Sequence, residues 1–187
     1  MNHEIKKALE VLQNGGVILY PTDTLWGIGC DATHEQAVER IYRIKQRKEQ
    51  QGMLVLLDQA GKIPSYVHEM PEIAWDLIEL TGNPLTIIYP QGKNLAQKLM
   101  AADGSIGIRI THDPFTRKLI ERFKKPIVST SANISGEKPP GNFTEINPKI
   151  PDLVDYVVQW RQDDYSRRSP SGIIKLGASG EIKVIRE

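Results

Sequence analysis

Residues 126–136 read PIVSTSANISG, and this stretch supplies the first prediction about both the fold and the site. The apolar pair Ile127 and Val128 leads into three consecutive hydroxyl side chains at positions 129–131. This order predicts a buried strand followed by a polar loop at its carboxyl end, which is where open α/β sheets bind ligands. Hydroxyl groups both donate and accept hydrogen bonds, so the loop suits a phosphate or a nucleoside. The alternative is that these hydroxyls only cap the next turn.

Helical and strand patterns alternate on both sides of this stretch. Helices are predicted near residues 5–12, 34–46, 71–80 and 113–123. Further strands are predicted at residues 17–20, 25–30, 53–57, 85–89, 105–110, 155–159, 172–176 and 182–185. Some of these strands are separated by helices and others adjoin one another. We therefore expect an α/β (α+β) fold, with a twisted mixed β-sheet flanked by helices.

Length and composition indicate one ordinary globular domain. The chain has 187 residues, of which 40% are hydrophobic and 25% charged, and we expect a single domain over residues 1–187. Cys30 is the sole cysteine, which excludes an internal disulfide and fits the reducing cytoplasm. The apolar runs fall far short of the roughly 20 residues that span a bilayer, so we expect no membrane contact. The net charge of +1 predicts no general attraction to nucleic acid, and any RNA contact would be local.

Motifs of several other enzyme classes are absent or misplaced. Residues 27–32 read GIGCDA and match the dinucleotide pattern G-x-G-x-x-A, but the glycines fall inside a predicted strand. That pattern requires a turn between a strand and a helix. The sequence contains no P-loop, no HExxH and no GxSxG. A Rossmann site, serine-triad chemistry and a zinc site are therefore disfavoured.

The predicted helix at residues 34–46 ends in basic residues. Lys45 follows Val38 by seven positions, so it lies on the same, core-facing side of the helix. A lysine there must either extend to solvent or meet an anion, and Arg47 follows it closely. Together they could bind a triphosphate. The alternative is a solvated basic patch that also contains Arg40, Arg43 and Lys48.

The strand at residues 105–110 alternates with period two. Its isoleucines face one side of the predicted sheet, and Ser105, Gly107 and Arg109 face the other. An arginine beside a glycine and a serine has open space under its guanidinium, which suits a carboxylate or a phosphate. The alternative is an exposed sheet face. We expect Lys45 and Arg109 to open onto one shared cavity.

Five segments carry a resemblance to a known family. In chain order they are PTDTLWGIG (21–29), KQR (45–47), PLT (84–86), SIGIR (105–109) and SANISG (131–136). Together they resemble the motifs of the YrdC/TsaC-like threonylcarbamoyl-adenylate synthases, over nearly the whole chain. The resemblance implies a YrdC-like fold with a concave active-site face. It also implies a reaction in which L-threonine, bicarbonate (or CO2) and ATP form threonylcarbamoyl-AMP and pyrophosphate, for threonylcarbamoyladenosine modification of tRNA.

The same resemblance implies roles for individual residues. Threonine is expected to contact Thr24, Arg109, Ser129 and Ser171. ATP is expected to contact Lys45, Arg47, Gln51, Ser105, Ser131, Asn133 and Arg186. Of these residues, Lys45, Arg47 and Arg109 are the expected catalytic ones, and Mg²⁺ is expected to be held through the ATP phosphates. The expected protein partners are those that transfer the threonylcarbamoyl group to tRNA.

Some positions depart from the family pattern. They are Leu56, Lys48, Gln51, Pro139 and the segment 170–172, which reads PSG. A paralogue that uses another amino acid or carbamoyl donor is therefore an alternative to the threonine enzyme. A second alternative comes from a different class: a module that binds double-stranded RNA or tRNA on its concave face and serves RNA or ribosome maturation.

Overall fold

The computed structural model describes residues 1–48, 52–177 and 180–187. Within these residues the chain forms four α-helices and one sheet of nine strands. The helices are α1 (Asn2–Gln13), α2 (Glu35–Lys45), α3 (Ile73–Leu80) and α4 (Pro114–Phe123). The strands are β1 (Ile18–Tyr20), β2 (Gly27–Gly29), β3 (Leu54–Leu57), β4 (Leu85–Tyr89), β5 (Ile106–Ile110), β6 (Ile127–Ser131), β7 (Tyr156–Val157), β8 (Gly172–Leu176) and β9 (Ile182–Arg186).

The sheet is mixed, as predicted. Its strand order is β7-β1-β2-β6-β3-β5-β4-β8-β9. The pairs β1–β7, β3–β5 and β4–β8 are parallel, and the remaining neighbours are antiparallel. Strands that are distant in sequence therefore become neighbours, and β6 lies between β2 and β3. None of the helices in the described ranges has the length and apolar character that a membrane crossing requires.

The helix and strand boundaries follow local signals. In α4, Asp113 is the N-cap and its side chain accepts a hydrogen bond from the backbone N–H of Thr116, while Pro114 occupies the first helical position. In β2, the backbone of Gly29 packs so closely that a Cβ would lie 2.4 Å from the carbonyl O of Val128. This contact places the glycines of β2 inside the sheet, and the argument against a dinucleotide-binding turn is confirmed.

The two faces of the sheet are buried to different extents. One face packs on a large apolar cluster that includes Val38 and Ile41 of α2 and the strand residues Val55 and Ile108. The other face contacts α1 and α4, which pack against each other. These two helices cover only part of that second face. The uncovered part forms a cavity.

Candidate active site

A cavity of about 350 Å³ lies over the uncovered part of the second sheet face. Strand alternation explains part of its lining, because Arg109 of β5 and Ser129 of β6 each follow a core-facing apolar residue by one position and point into the cavity. Eight of the predicted site residues line the cavity: Thr24, Arg47, Ser105, Arg109, Ser129, Ser131, Ser171 and Arg186. The sheet thus brings together hydroxyls and guanidinium groups from segments that are far apart in sequence.

Arg109 is the most deeply buried cation of the cavity wall, with only 3% of its surface exposed. Its Nη2 lies 3.1 Å from Oδ1 of Asp23, in an ion-pair contact that lacks hydrogen-bond geometry. Nε and Nη2 of Arg109 are therefore buried without a hydrogen-bond partner among the described residues. Burial lowers the pKa of Arg109, and the Asp23 carboxylate opposes that shift. Because unpaired buried donors are costly, this geometry favours an anionic ligand.

The loop at residues 21–24 is held in a tight turn by its own hydroxyls. Oγ1 of Thr22 donates to the carbonyl O of Leu25 at 2.7 Å and accepts from the backbone N–H of Thr24 at 3.0 Å. The two threonine Oγ1 atoms lie 3.1 Å apart. This turn places the Thr24 side chain in the cavity wall. On the adjoining strand β2, a Cβ at Gly27 would lie 3.2 Å from Oγ of Ser129, so glycine keeps that space open.

The opposite wall contains a second cation and a pair of hydroxyls. Oγ of Ser171 lies 2.8 Å from Oγ1 of Thr86, and Thr86 is paired with Arg109 across the sheet. Nε of Arg186 donates to the carbonyl O of Ser171 at 2.9 Å. Burial, and then the charge of Arg109, lower the pKa of Arg186. The guanidinium groups of Arg109 and Arg186 thus face the same part of the cavity, and an anion bound there would stabilise both charges.

Arg47 and Ser105 line the cavity near the chain segment that begins at Gly52. Nη2 of Arg47 donates to the carbonyl O of Gly52 at 2.7 Å. The Ser105 hydroxyl donates to Oδ1 of Asp103 at 2.6 Å, which fixes its rotamer. Burial lowers the pKa of Arg47. This part of the wall can contact a polyanion through the guanidinium and a fixed hydroxyl.

Lys45 lies behind the cavity wall. The helix spacing predicted burial, and that is confirmed, because only 2% of Lys45 is exposed. Its Nζ donates to the carbonyl O of Ser131 at 2.6 Å and to that of Asn133 at 2.7 Å. The expectation that this ammonium opens onto the cavity is wrong, because the loop carbonyls occupy it and Lys45 is not among the lining residues. Its direct contact with ATP stays a prediction.

Two further positions, Asn133 and Leu56, also lie outside the cavity wall. Asn133 lies outside the cavity wall, and its Nδ2 donates to the carbonyl O atoms of Ile134 and Glu137. Gln51, predicted to contact ATP, lies outside the described residues. Leu56 is fully buried in the apolar cluster under α1 and α4, so it is a core residue.

Comparison with known proteins identifies the family. The sequence profile of the Sua5/YciO/YrdC family, described as "Telomere recombination", matches residues 10–187. The chain belongs to the Sua5/YciO/YrdC family.

Relatives and solved structures agree with this membership. The chain is 35% identical to a threonylcarbamoyl-AMP synthase of Pseudoalteromonas translucida, over 82% of this chain and 84% of the relative. It is 32% identical to a protein of the same name from Hahella chejuensis, over 95% and 96% of the two chains. Escherichia coli YciO has a TM-score of 0.86 at 27% identity and covers all of this chain, which in turn covers 90% of YciO.

A longer family member shares the fold. Sua5 of P. abyssi has a TM-score of 0.89 at 23% identity, and this chain spans 56% of its length. A Sua5 structure from the same organism, at 23% identity and a TM-score of 0.82, is a complex with L-threonine. At this identity the likeness shows the fold, a YrdC-like mixed sheet.

The cavity wall also contains polar, aromatic and proline residues that sequence reasoning did not predict as site residues. Thr86, Trp26 and Pro139 line the cavity but were not predicted as site residues. Trp26 also packs on Phe143, with ring centroids 4.8 Å apart. A signal for Thr86 was present, because it is a hydroxyl residue in an otherwise apolar strand and lies on the same face as Ile88. The sequence marks Pro139 only as a departure from the family pattern, and the structure places it in the cavity wall.

The cavity of this Sua5/YciO/YrdC member is built for anions. Its wall consists of guanidinium groups, hydroxyls and apolar side chains. Across the described ranges, no group of three or more His, Cys, Asp or Glu residues could hold a metal ion. Magnesium held through ligand phosphates, whose oxygen atoms it prefers as ligands, stays a prediction for this site.

Proposed function

We propose that the protein is an L-threonylcarbamoyladenylate synthase, a nucleotidyltransferase. It would convert L-threonine, bicarbonate and ATP into threonylcarbamoyl-AMP, pyrophosphate and water. The names of relatives at 30–35% identity support this proposal. The structural observation that carries it is Arg109, a buried guanidinium in a hydroxyl-lined cavity whose Nε and Nη2 lack hydrogen-bond partners within the described part of the chain. A site of this kind favours a carboxylate substrate next to a polyanion.

The amino acid is bound at the Arg109 end of the cavity in this proposal. Its carboxylate accepts from Nε and Nη2 of Arg109, which satisfies both buried donors. The hydroxyls of Thr24, Ser129 and Ser171 surround that position and can orient the amino acid. The Asp23 carboxylate already offsets the charge of Arg109, so the ammonium group that a free amino acid carries beside its carboxylate keeps the local charge balanced when the amino acid binds.

ATP occupies the remaining part of the cavity. Arg47 and Arg186 neutralise its phosphates, and the hydroxyls of Ser105 and Ser131 orient them. Magnesium held by the phosphates would add further charge neutralisation when ATP binds. The protein's own contribution is thus binding, orientation and charge.

The reaction requires no covalent bond to the protein. The amino group of threonine takes up the carboxyl group of bicarbonate, with loss of water, to give the carbamate. A carbamate oxygen then attacks the α-phosphorus of ATP, and the bond to the pyrophosphate leaving group breaks. Such a step depends on holding the two reactants in line and on stabilising the departing charge. Lys45 contributes through the carbonyls of Ser131 and Asn133, which it holds in place.

The product would serve tRNA modification, in which transfer proteins place the threonylcarbamoyl group on adenosine. This role, the tRNA contact and the cytoplasmic location are proposals that follow from the reaction. The single-domain organisation also stays a prediction.

Pyrophosphate release tests the proposed reaction. We expect release only when ATP, L-threonine and bicarbonate are all present, and each omission should remove it. Serine and valine replace threonine in matched mixtures to measure specificity. Release with another amino acid but not with threonine would indicate a paralogue. RNA binding that falls steeply with salt, without release in any mixture, would instead indicate an RNA-binding module.

A further inference from the structure

Arg161, in the loop that follows β7, connects two segments beside the cavity. Its Nη1 donates to Oδ2 of Asp113 at 2.7 Å, and its Nη2 donates to the carbonyl O of Thr22 at 2.8 Å. Asp113 is the N-cap of α4 and follows β5, the strand that carries Arg109. One guanidinium therefore joins the start of α4 to the 21–24 loop.

These two hydrogen bonds of Arg161, to Asp113 and to Thr22, form a bridge that is largely shielded from solvent. The Asp113 side chain is 1% exposed and the Arg161 side chain is 21% exposed. Hydrogen bonds between charged groups in such surroundings are stronger than those at an exposed surface. Arg161 also has a φ of 65°, a left-handed conformation that is uncommon for a residue with a side chain. Such a conformation persists where the surrounding contacts fix it.

The bridge holds the 21–24 loop, which forms the cavity wall beside Arg109, at the proposed amino-acid end of the cavity. The 21–24 loop carries Thr24, and its Asp23 contacts Arg109. A second bond supports the loop from α4, because Oγ1 of Thr116 donates to the carbonyl O of Pro21 at 2.8 Å. Arg161 supplies the next anchor along the loop, at Thr22.

We propose that Arg161 is a positioning residue for amino-acid binding. It fixes the backbone at Thr22, and thereby sets the Thr24 hydroxyl and the Asp23 carboxylate relative to Arg109. It lies outside the residues that line the cavity, so it acts through the loop. This inference rests on the proposed function, because it assigns Arg161 to the amino-acid half of that site and leaves the ATP half unchanged.

The test separates the two substrates. In Arg161→Ala we expect the KM for threonine to rise about tenfold, because the backbone at Thr22 loses the charged donor that holds it. The KM for ATP should change less than about twofold, since Arg47 and Ser105 lie elsewhere in the wall. Arg161→Lys keeps the positive charge but replaces the planar guanidinium, whose two Nη atoms reach two acceptors, with a single ammonium. Its threonine KM should therefore lie between those of the wild type and Arg161→Ala.

Two further variants serve as a matched control and as a substitute in case the Arg161 variants do not fold. Arg167→Ala is the matched control, because Arg167 lies in the same loop, pairs with Glu145 and has a side chain that is 62% exposed. It should leave both KM values unchanged. Asp113→Asn serves if the Arg161 variants do not fold, because asparagine is an equally good N-cap while the charge facing Arg161 is lost. It should raise the threonine KM selectively.

A coupling measurement distinguishes positioning from general structural support. In a Thr24→Ala background, removal of Arg161 should raise the threonine KM less than it does in the wild type, because both changes affect the same loop. Equal rises in both backgrounds, equal rises for threonine and ATP, or unchanged KM values would overturn the inference. A wild type without threonine-dependent turnover would overturn the proposed function as well. An active wild type with normal Arg161 variants would overturn only the inference.

Discussion

Ile127 and Ser129 lie two positions apart on the same face of β6, yet they belong to regions with opposite roles. Ile127 is fully buried in the apolar cluster under α1 and α4. Ser129 lies in the cavity wall. The sheet is continuous between them, and what changes is the helical cover. One strand thus contributes to stability through its first half and to the cavity wall through its second half.

The two regions also differ in how many buried polar groups they contain and in whether those groups have hydrogen-bond partners. The covered region is almost entirely apolar, and its contacts can be satisfied by packing alone. The open region holds Arg109 with buried donors that lack partners within the described structure. Such groups reduce the free energy of unfolding unless a ligand satisfies them. Mutations in the two regions should therefore have separable effects on stability and on activity.

The largest expected effect is on activity, in the open region. Arg109→Ala should lower kcat/KM for threonine by about 30-fold or more, since truncating one partner of a buried charge pair costs about 2 kcal/mol or more. Steady-state kinetics measures this. Arg109→Lys, which keeps the charge without the planar fork, should recover only part of the loss. Normal threonine kinetics in Arg109→Ala would remove the distinction between the two regions.

In the covered region, the expected effect is on stability. Leu119→Ala, in α4, should lower the free energy of unfolding by about 2–5 kcal/mol, because it leaves a cavity in a fully packed cluster. Denaturant titration measures the loss, and both substrate KM values should stay at wild-type levels. Ser129→Ala is the matched variant from the open region. If it destabilises the fold as much as Leu119→Ala does, the proposed division of roles fails.

The buried ammonium of Lys45 predicts a pH effect. Burial, and then the charge of Arg47, lower the pKa of Lys45 from 10.5 to about 8. Between these values the unfolded chain binds a proton that the folded chain does not, so the contribution of Lys45 to stability rises with pH.

Comparison with Lys45→Met isolates that contribution. The difference in unfolding free energy between the wild type and Lys45→Met should increase by about 2 kcal/mol from about pH 7.5 to about pH 9.5. Denaturant titrations at several pH values measure it. A difference that stays constant with pH would mean that the ammonium is not desolvated as the structure indicates.

The smallest effect is expected at the exposed face of α2. Arg43 pairs with Glu39 at 2.6 Å, but its side chain is 75% exposed, so Arg43→Ala should leave the melting temperature unchanged. Substrate KM values should also be unchanged. A clear loss of RNA affinity in this variant would instead support the basic patch as a nucleic-acid contact.

Local pattern was sufficient for most of the fold. The bounds of β4 and β8 agree with the predicted residues 85–89 and 172–176, because each is an apolar run next to a turn signal. The predicted strand at 155–159 is shorter, since β7 pairs only with β1 at the edge of the sheet and ends after two residues. The strand order could not be predicted, because it depends on pairings between distant segments such as β2 and β6.

The position of a site residue could be predicted from the sequence when the periodicity of its own strand or helix determines where its side chain points. Alternation in β5 placed Arg109 opposite the buried isoleucines, and helical spacing placed Lys45 in the interior. The partner of Lys45 was not predictable, because the carbonyls that it contacts are 86 and 88 positions away in sequence. The contacts of Arg161 were not predictable for the same reason, because its two acceptors are 48 and 139 positions away in sequence. Contacts of this kind depend on tertiary structure alone.

The most direct test of the central claim is to identify the product by mass spectrometry. The protein is incubated with ATP, L-threonine and ¹³C-labelled bicarbonate, beside a parallel reaction with Arg109→Ala. We expect threonylcarbamoyl-AMP that carries the label in the wild-type reaction, and little or none in the variant. Absence of the adenylate from the wild type, or equal amounts from both proteins, would contradict the claim that the open half of the sheet face is the site of this reaction.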